Sequence, residues 1–205
     1  ASVIVEIMSD DGSMARLPEL KKIAKEHDIK IGTIEDLIKY RTKHEKTVIR
    51  KNESSINTEY GEFNLVSYED IMSNTMHIAL VKGDLKENKS TFVRVHIQNT
   101  IKDILHSAHH SGWPLKNAMQ RINEEGNGVI LILRWDESVN AIIKDIENIK
   151  EFHEDIAQDF DRRTLGVGGQ ILSDLGVTKM KLLSSPKTFY GLGGYGLEIE
   201  KYITE

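Results

Sequence analysis

Cysteine is absent from all 205 residues. Disulfides are therefore excluded, and so is every metal site built on thiolates. No apolar run approaches the roughly 20 residues that a membrane-spanning helix needs, and no signal peptide is visible. Positive charge is not in excess: 27 Lys and Arg against 32 Asp and Glu give a net charge of −5. That balance supplies no basic field for nucleic acid or anionic lipid, and no basic-aromatic stripe is present. These absences fit a cytoplasmic protein that partners neither nucleic acid nor membrane. An initiator methionine is also missing before the apolar run Ala1 to Met8. The expectation is that the front of a longer protein precedes it. What is present is ordinary for a globular domain, with 39% apolar and 29% charged residues. The length suits one large domain, or one domain plus a fragment.

Patterning divides the chain near Glu45. Before it, Ser2–Ile7 is β-branched and predicts a buried strand carrying one carboxylate, Glu6. Ser9-Asp10-Asp11-Gly12 is turn chemistry. Pro18 suits the first turn of a helix from Leu17 to His27, with Leu20, Ile23 and Ala24 on one face. Thr33 is placed to cap a second helix, with Asp36 three residues on. After Glu45, alternation at Thr47–Arg50, Ile56–Glu59, Glu62–Ser67, His77–Val81 and Phe92–Ile97 predicts an antiparallel β region. Lys82-Gly83-Asp84 and Glu87-Asn88-Lys89 read as hairpin or loop tips. Leu115–Glu125 predicts a helix stopped by Gly126, and Val129–Leu133 a fully buried strand. A long helix is expected from Glu137 to about Gln158, its apolar face formed by Val139, Ile142, Ile143, Ile146 and Ile149. Leu165–Leu175 predicts a helix ending at Gly176. Met180–Leu183 and Leu197–Ile203 predict the closing strands. The fold class is α+β (mixed α/β), with antiparallel strands first and helix-strand units second.

Two stretches carry a resemblance. The run VIVEIMSDDGSMARLPEL followed by IGTIEDLIKYRTKHE resembles the end of 3,4-dihydroxy-2-butanone 4-phosphate synthase. That family makes a four-carbon riboflavin precursor from ribulose 5-phosphate with Mg²⁺. The resemblance places its essential strand glutamate at Glu6. Its other ligands would lie upstream. From about Gly61, the segments GEFNLVSYEDIMSNTMHIALVKGD, RVH, INEEGNGVILILR, GGQILSDLGVTKMKLLS and GLGGYGLEI resemble GTP cyclohydrolase II, in that family's order. The implied layout is a synthase remnant over residues 1–45 and a cyclohydrolase II-like domain over 46–205. The remnant is expected to fold only in part, because its strand lacks its sheet neighbours.

GTP cyclohydrolase II opens the imidazole ring of GTP with a zinc-bound water. Catalytic zinc needs three protein ligands and one open position. The family's three cysteines correspond here to Asn99 and to a shortened stretch around His109 to Gly112. His106, His109 and His110 are the nearby replacement ligands, and adjacent histidines point apart in regular structure. No metal site and no cofactor is therefore expected in this chain. The resemblance implies substrate contacts at Arg94, Val95 and His96, at Gln98 where the family has an acid, and at Ser184 in a shortened phosphate-side loop. The family's R-Q-E-G-R segment is Arg134-Trp135-Asp136-Glu137-Ser138, whose two acids repel phosphate. Its catalytic D-x-R pair matches Asp161 and Arg163. Framework segments persist while zinc and triphosphate ligands are replaced together. The expectation is a non-catalytic cyclohydrolase-like domain behind an active synthase, serving dimerisation, scaffolding or regulation. The alternatives are a cyclohydrolase with an altered metal site and a nucleotide sensor. A homodimer, the missing synthase half and a nucleotide or phosphate ligand are the expected partners.

Overall fold

Period-two patterning between Val48 and Lys82 produces three antiparallel strands: β1 (Val48–Thr58), β2 (Gly61–Asp70) and β3 (Thr75–Lys82). The two short runs expected at Thr47–Arg50 and Ile56–Glu59 are one strand, whose register slips between Arg50 and Asn52. The computed structural model describes residues 4–85, 90–104, 113–135, 137–147, 162–189 and 191–204. Among these, four further strands extend the sheet: β4 (Ser90–Ile97), β5 (Gly128–Leu133), β6 (Lys179–Leu183) and β7 (Glu198–Ile203). The order across the sheet is β1-β2-β3-β5-β4-β6-β7.

The antiparallel expectation holds for β1 to β3 and is corrected at Phe92–Ile97. β4 lies parallel to both of its neighbours, β5 and β6. Its neighbours are reached through helical crossovers, and a crossover of that length permits parallel pairing. Of the two expectations for Lys82-Gly83-Asp84, the loop holds and the hairpin does not, because β5 lies between β3 and β4.

Helices cover both faces of the parallel block. The first layer is α4 (Leu115–Glu125), which follows the four-residue turn of helix α3 (Thr100–Asp103). Ala118, Met119 and Ile122 of α4 pack with Phe63, Leu80, Phe92, Trp113, Ile130 and Leu183. The opposite layer is α6 (Arg162–Asp174), whose Val167, Ile171 and Leu172 pack with Val66, Ala79, Val93, Val129, Leu131 and Leu133. Alternate residues of β5 thus enter different cores. This is why VILIL is a continuous apolar run rather than an alternating one. Gly126 ends α4 in a left-handed cap at φ 70, as the stop signal predicts.

At the front, α1 (Leu17–Glu26) and α2 (Ile34–His44) form where the sequence predicts. Thr33 accepts from the Asp36 N–H at 3.0 Å. The strand expected at Ser2–Ile7 does not form over its described part. Residues 4–7 are exposed coil, and Ile4 is 93% exposed. Only Met8 bridges to Met14. The Ile7 carbonyl accepts the Ala15 N–H at 2.9 Å, but among the described residues no strand lies beside residues 4–7 to extend that pairing. The other correction is α5 (Val139–Glu147). Val139, Ile143 and Ile146 of its expected apolar face are exposed. Helical periodicity located that stripe without supplying a partner for it. The rest of the predicted long helix, with Ile149, lies outside the described residues.

Candidate functional site at the carboxyl ends of the parallel strands

β5, β4 and β6 end side by side, and β4 is where the chain changes winding direction. The crossover after β4 goes to β5 on one side, and the next goes to β6 on the other. In open α/β sheets the crevice at such a switch point is where ligands bind. Four residues marked by the sequence lie here: Arg94, His96, Gln98 and Ser184. The strand period sorts the RVH run. Arg94 and His96 share one face with Phe92, and Val95 turns to the other, where it packs against the α6-side core. Val95 is a packing residue.

Most of the polar side chains here bond to neighbouring protein groups, although Arg94 Nε and His77 Nε2 are buried without a hydrogen bond among the described residues. The Arg94 guanidinium donates through Nη1 to the Leu183 carbonyl at 3.0 Å, tying β4 to the end of β6. His96, only 9% exposed, meets both carboxylate oxygens of Asp103 at 2.9 Å through Nε2. Asp103 also accepts the Asn99 N–H at 2.9 Å. Glu137 accepts the Thr100 N–H at 2.9 Å and the Thr100 hydroxyl. Two carboxylates therefore fill the backbone donors where the chain turns into α3. Charge-assisted bonds of this kind are stronger than neutral ones. Gln98 accepts from Arg134 Nε at 3.0 Å, and the Arg134 N–H donates to His77 Nδ1 at 3.1 Å. His77 is fully buried and stands edge-on to Trp135. The Ser184 hydroxyl donates to the Ser185 carbonyl at 3.0 Å.

Of the remaining predicted residues, Glu6 alone has its side chain described. Glu6 is exposed and lies outside any strand. Asp161 and the histidines at 106, 109 and 110 lie outside the described residues, as does Asp136. Arg163 belongs to the first turn of α6, and its side chain is also outside what is described. Among the described residues, no group of three or more His, Asp and Glu side chains could hold a metal ion. Sequence reasoning missed Asp103, Thr100 and His77. Glu137, read from the sequence as a repeller of phosphate, also bonds to Thr100 through its carboxylate. The spacing of Asn99 and Asp103 was the one local signal available, since an acid one helical turn after a loop residue can cap it.

A parallel block layered by helices, with a polar cluster at its carboxyl ends, defines a doubly wound α/β unit fused to an antiparallel meander. Comparison with known proteins narrows this. The chain belongs to the GTP cyclohydrolase II family, whose model matches residues 49–204, and residues 1–40 match the 3,4-dihydroxy-2-butanone 4-phosphate synthase family. It thus carries a synthase-family region followed by a cyclohydrolase II-family region. The 3,4-dihydroxy-2-butanone 4-phosphate synthase of Photobacterium phosphoreum is 46% identical over 99% of this chain and 56% of its own length. The riboflavin biosynthesis protein RibBA of Bacillus cytotoxicus is 38% identical over 96% of this chain and 52% of its own. A solved structure, RibBX, described as a two-domain 3,4-dihydroxy-2-butanone 4-phosphate synthase from A. baumannii, is 37% identical with a TM-score of 0.58. It is matched over 97% of this chain and 53% of its own. The chain thus spans about half the length of the relatives it matches. No described helix is long and apolar enough to cross a membrane.

Proposed function

We propose that the cyclohydrolase II-like region is a non-catalytic scaffold for a synthase that converts ribulose 5-phosphate to dihydroxybutanone phosphate and formate. The carrying observation is the internal consumption of polar groups at the strand ends. Asp103 accepts the Asn99 N–H and holds the His96 ring, and Glu137 accepts the Thr100 N–H. A triphosphate entering there displaces two carboxylates of its own charge sign. The donor chemistry points the same way. The chain has no thiolate, and Asn99 offers an amide at the first ligand position of the family's zinc. Neutral amides are poor zinc ligands. The described residues do not fit that zinc.

A second reading is favoured by one observation. Arg94 and Ser184 lie beside the parallel strand ends, where a nucleotide or phosphate could be held without chemistry. In either reading the protein is cytoplasmic and acts as a homodimer. The test combines zinc analysis with formate release from GTP in the intact protein. The expected result is no zinc and no turnover; one zinc per chain with GTP-dependent formate release overturns the proposal. Calorimetry with GTP, GDP and flavin nucleotides separates scaffold from sensor, and a strict monomer by light scattering removes the dimer.

A further inference from the structure

The turn that joins β6 to β7 is rich in glycine, and its glycines are where the front of the chain lands. It contains a short 3₁₀ turn at Leu192–Tyr195. A Cβ on Gly194 would lie 2.5 Å from Ile38 Cγ2 and 2.8 Å from Ile38 Cβ. A Cβ on Gly191 would lie 2.8 Å from Ile38 Cδ1. Ile38 of α2 therefore seats in a space that exists because both positions lack side chains. A Cβ on Gly193 would lie 2.7 Å from Oε1 of Glu35, one helical turn before Ile38. The same turn reaches α6. A Cβ on Gly169 would lie 2.7 Å from Tyr195 Cδ2, and one on Gly166 would lie 3.3 Å from the Tyr195 hydroxyl. Gly166 and Gly169 are three residues apart, so they share the face of α6 on which the Tyr195 ring rests.

We propose that the Gly191–Gly196 turn is a socket that receives the synthase-region helix α2 and couples its position to α6. This rests on the scaffold reading and names the surface through which the scaffold acts. The turn is wedged between two helices with close contacts on both sides, so displacement of one is felt by the other. The far face of α2 has its own chemistry. Leu37 and Tyr40 are 53% and 61% exposed, three residues apart, a spacing that places them together. The occupant of that face is the remainder of a synthase domain, because residues 1–40 match the synthase family and the relatives are nearly twice as long. Helix α2 then has one face in each region.

The test is hydrogen exchange by mass spectrometry on the intact protein, with synthase turnover measured on the same samples. Gly194→Ala adds one methyl against Ile38. It is expected to speed exchange of the α2 amides about ten- to a hundredfold while β5 amides stay protected. Gly193→Ala meets only the movable end of Glu35 and leaves α2 protected. Gly169→Ala touches no residue of α2, yet is expected to loosen it through Tyr195. Unchanged α2 exchange in Gly194→Ala, or equal acceleration of β5, overturns the socket. Unchanged α2 exchange in Gly169→Ala overturns the coupling. Loosened α2 with unaltered synthase turnover and stability leaves the socket standing and removes the scaffold role instead.

Discussion

Removing one oxygen atom tests how α6 is held to the meander. Tyr68 is 1% exposed, and its hydroxyl donates to Asp174 Oδ2 at 2.8 Å. Arg50 Nε reaches the same oxygen at 3.0 Å. Tyr68→Phe keeps the buried ring and deletes only that bond. A hydrogen bond to a charged acceptor contributes about 1.5–3 kcal/mol. Asp174 keeps Arg50 and is 39% exposed, so solvent and the guanidinium offset part of the loss. The expected cost is about 1–2 kcal/mol at neutral pH, read as a lower urea midpoint with unchanged m-value. A pH series sharpens the test. Burial, and then the Asp174 carboxylate, push the Tyr68 phenol above its usual range. A group whose folded pKa is raised contributes stability that is complete below its unfolded pKa, near 10 for tyrosine. That contribution fades as pH rises further, by about 1.4 kcal/mol per pH unit. Phenylalanine does not titrate, so the gap between the two proteins narrows above about pH 10. Burial also raises the Tyr195 phenol, but in both proteins alike. Equal stability at pH 7, or a gap that stays constant through pH 11, refutes the reasoning.

Other outcomes follow from the same geometry. Ile130→Ala empties a fully buried position between β5 and α4 and is expected to cost about 2–5 kcal/mol in chemical denaturation. Asp103→Ala leaves His96 without its carboxylate and the Asn99 N–H without its acceptor, at about 1–3 kcal/mol. Its thermal midpoint falls, whereas Asp103→Glu restores part of the loss if the contact is what matters. Thr33→Ala removes the side-chain cap of α2 and is expected to cost about 1 kcal/mol. Faster exchange confined to the first turn of α2 is the sign of that loss.

Much of the secondary structure was legible because each element carries its own punctuation. Thr33 and Asp36 mark the start of α2, Gly126 stops α4 and Gly176 follows α6, all within a few residues of the signal. Failures came where a local pattern needed a remote partner. Ser2–Ile7 has strand composition but no described neighbour to pair with. The stripe on α5 has helical periodicity, yet Val139, Ile143 and Ile146 stay exposed. β4 has an ordinary strand pattern, and no pattern within eight residues tells a parallel neighbour from an antiparallel one.

By itself, the sequence determined the chemistry that is missing. A chain without cysteine has no thiolate wherever its backbone goes, and ancestry was readable from the order of framework segments. It also determined that VILIL would be buried on both faces, because no solvated strand tolerates five consecutive aliphatic residues. Only the tertiary structure decided which polar groups meet. Glu137 reaches Thr100 because β4 and β5 end side by side, a juxtaposition of segments 37 residues apart. The glycines at 191, 193 and 194 look like loop composition until Ile38 and Glu35 are seen against them. Hydrogen bonds and packing act over a few ångströms, so they are fixed by where the folded chain places its segments.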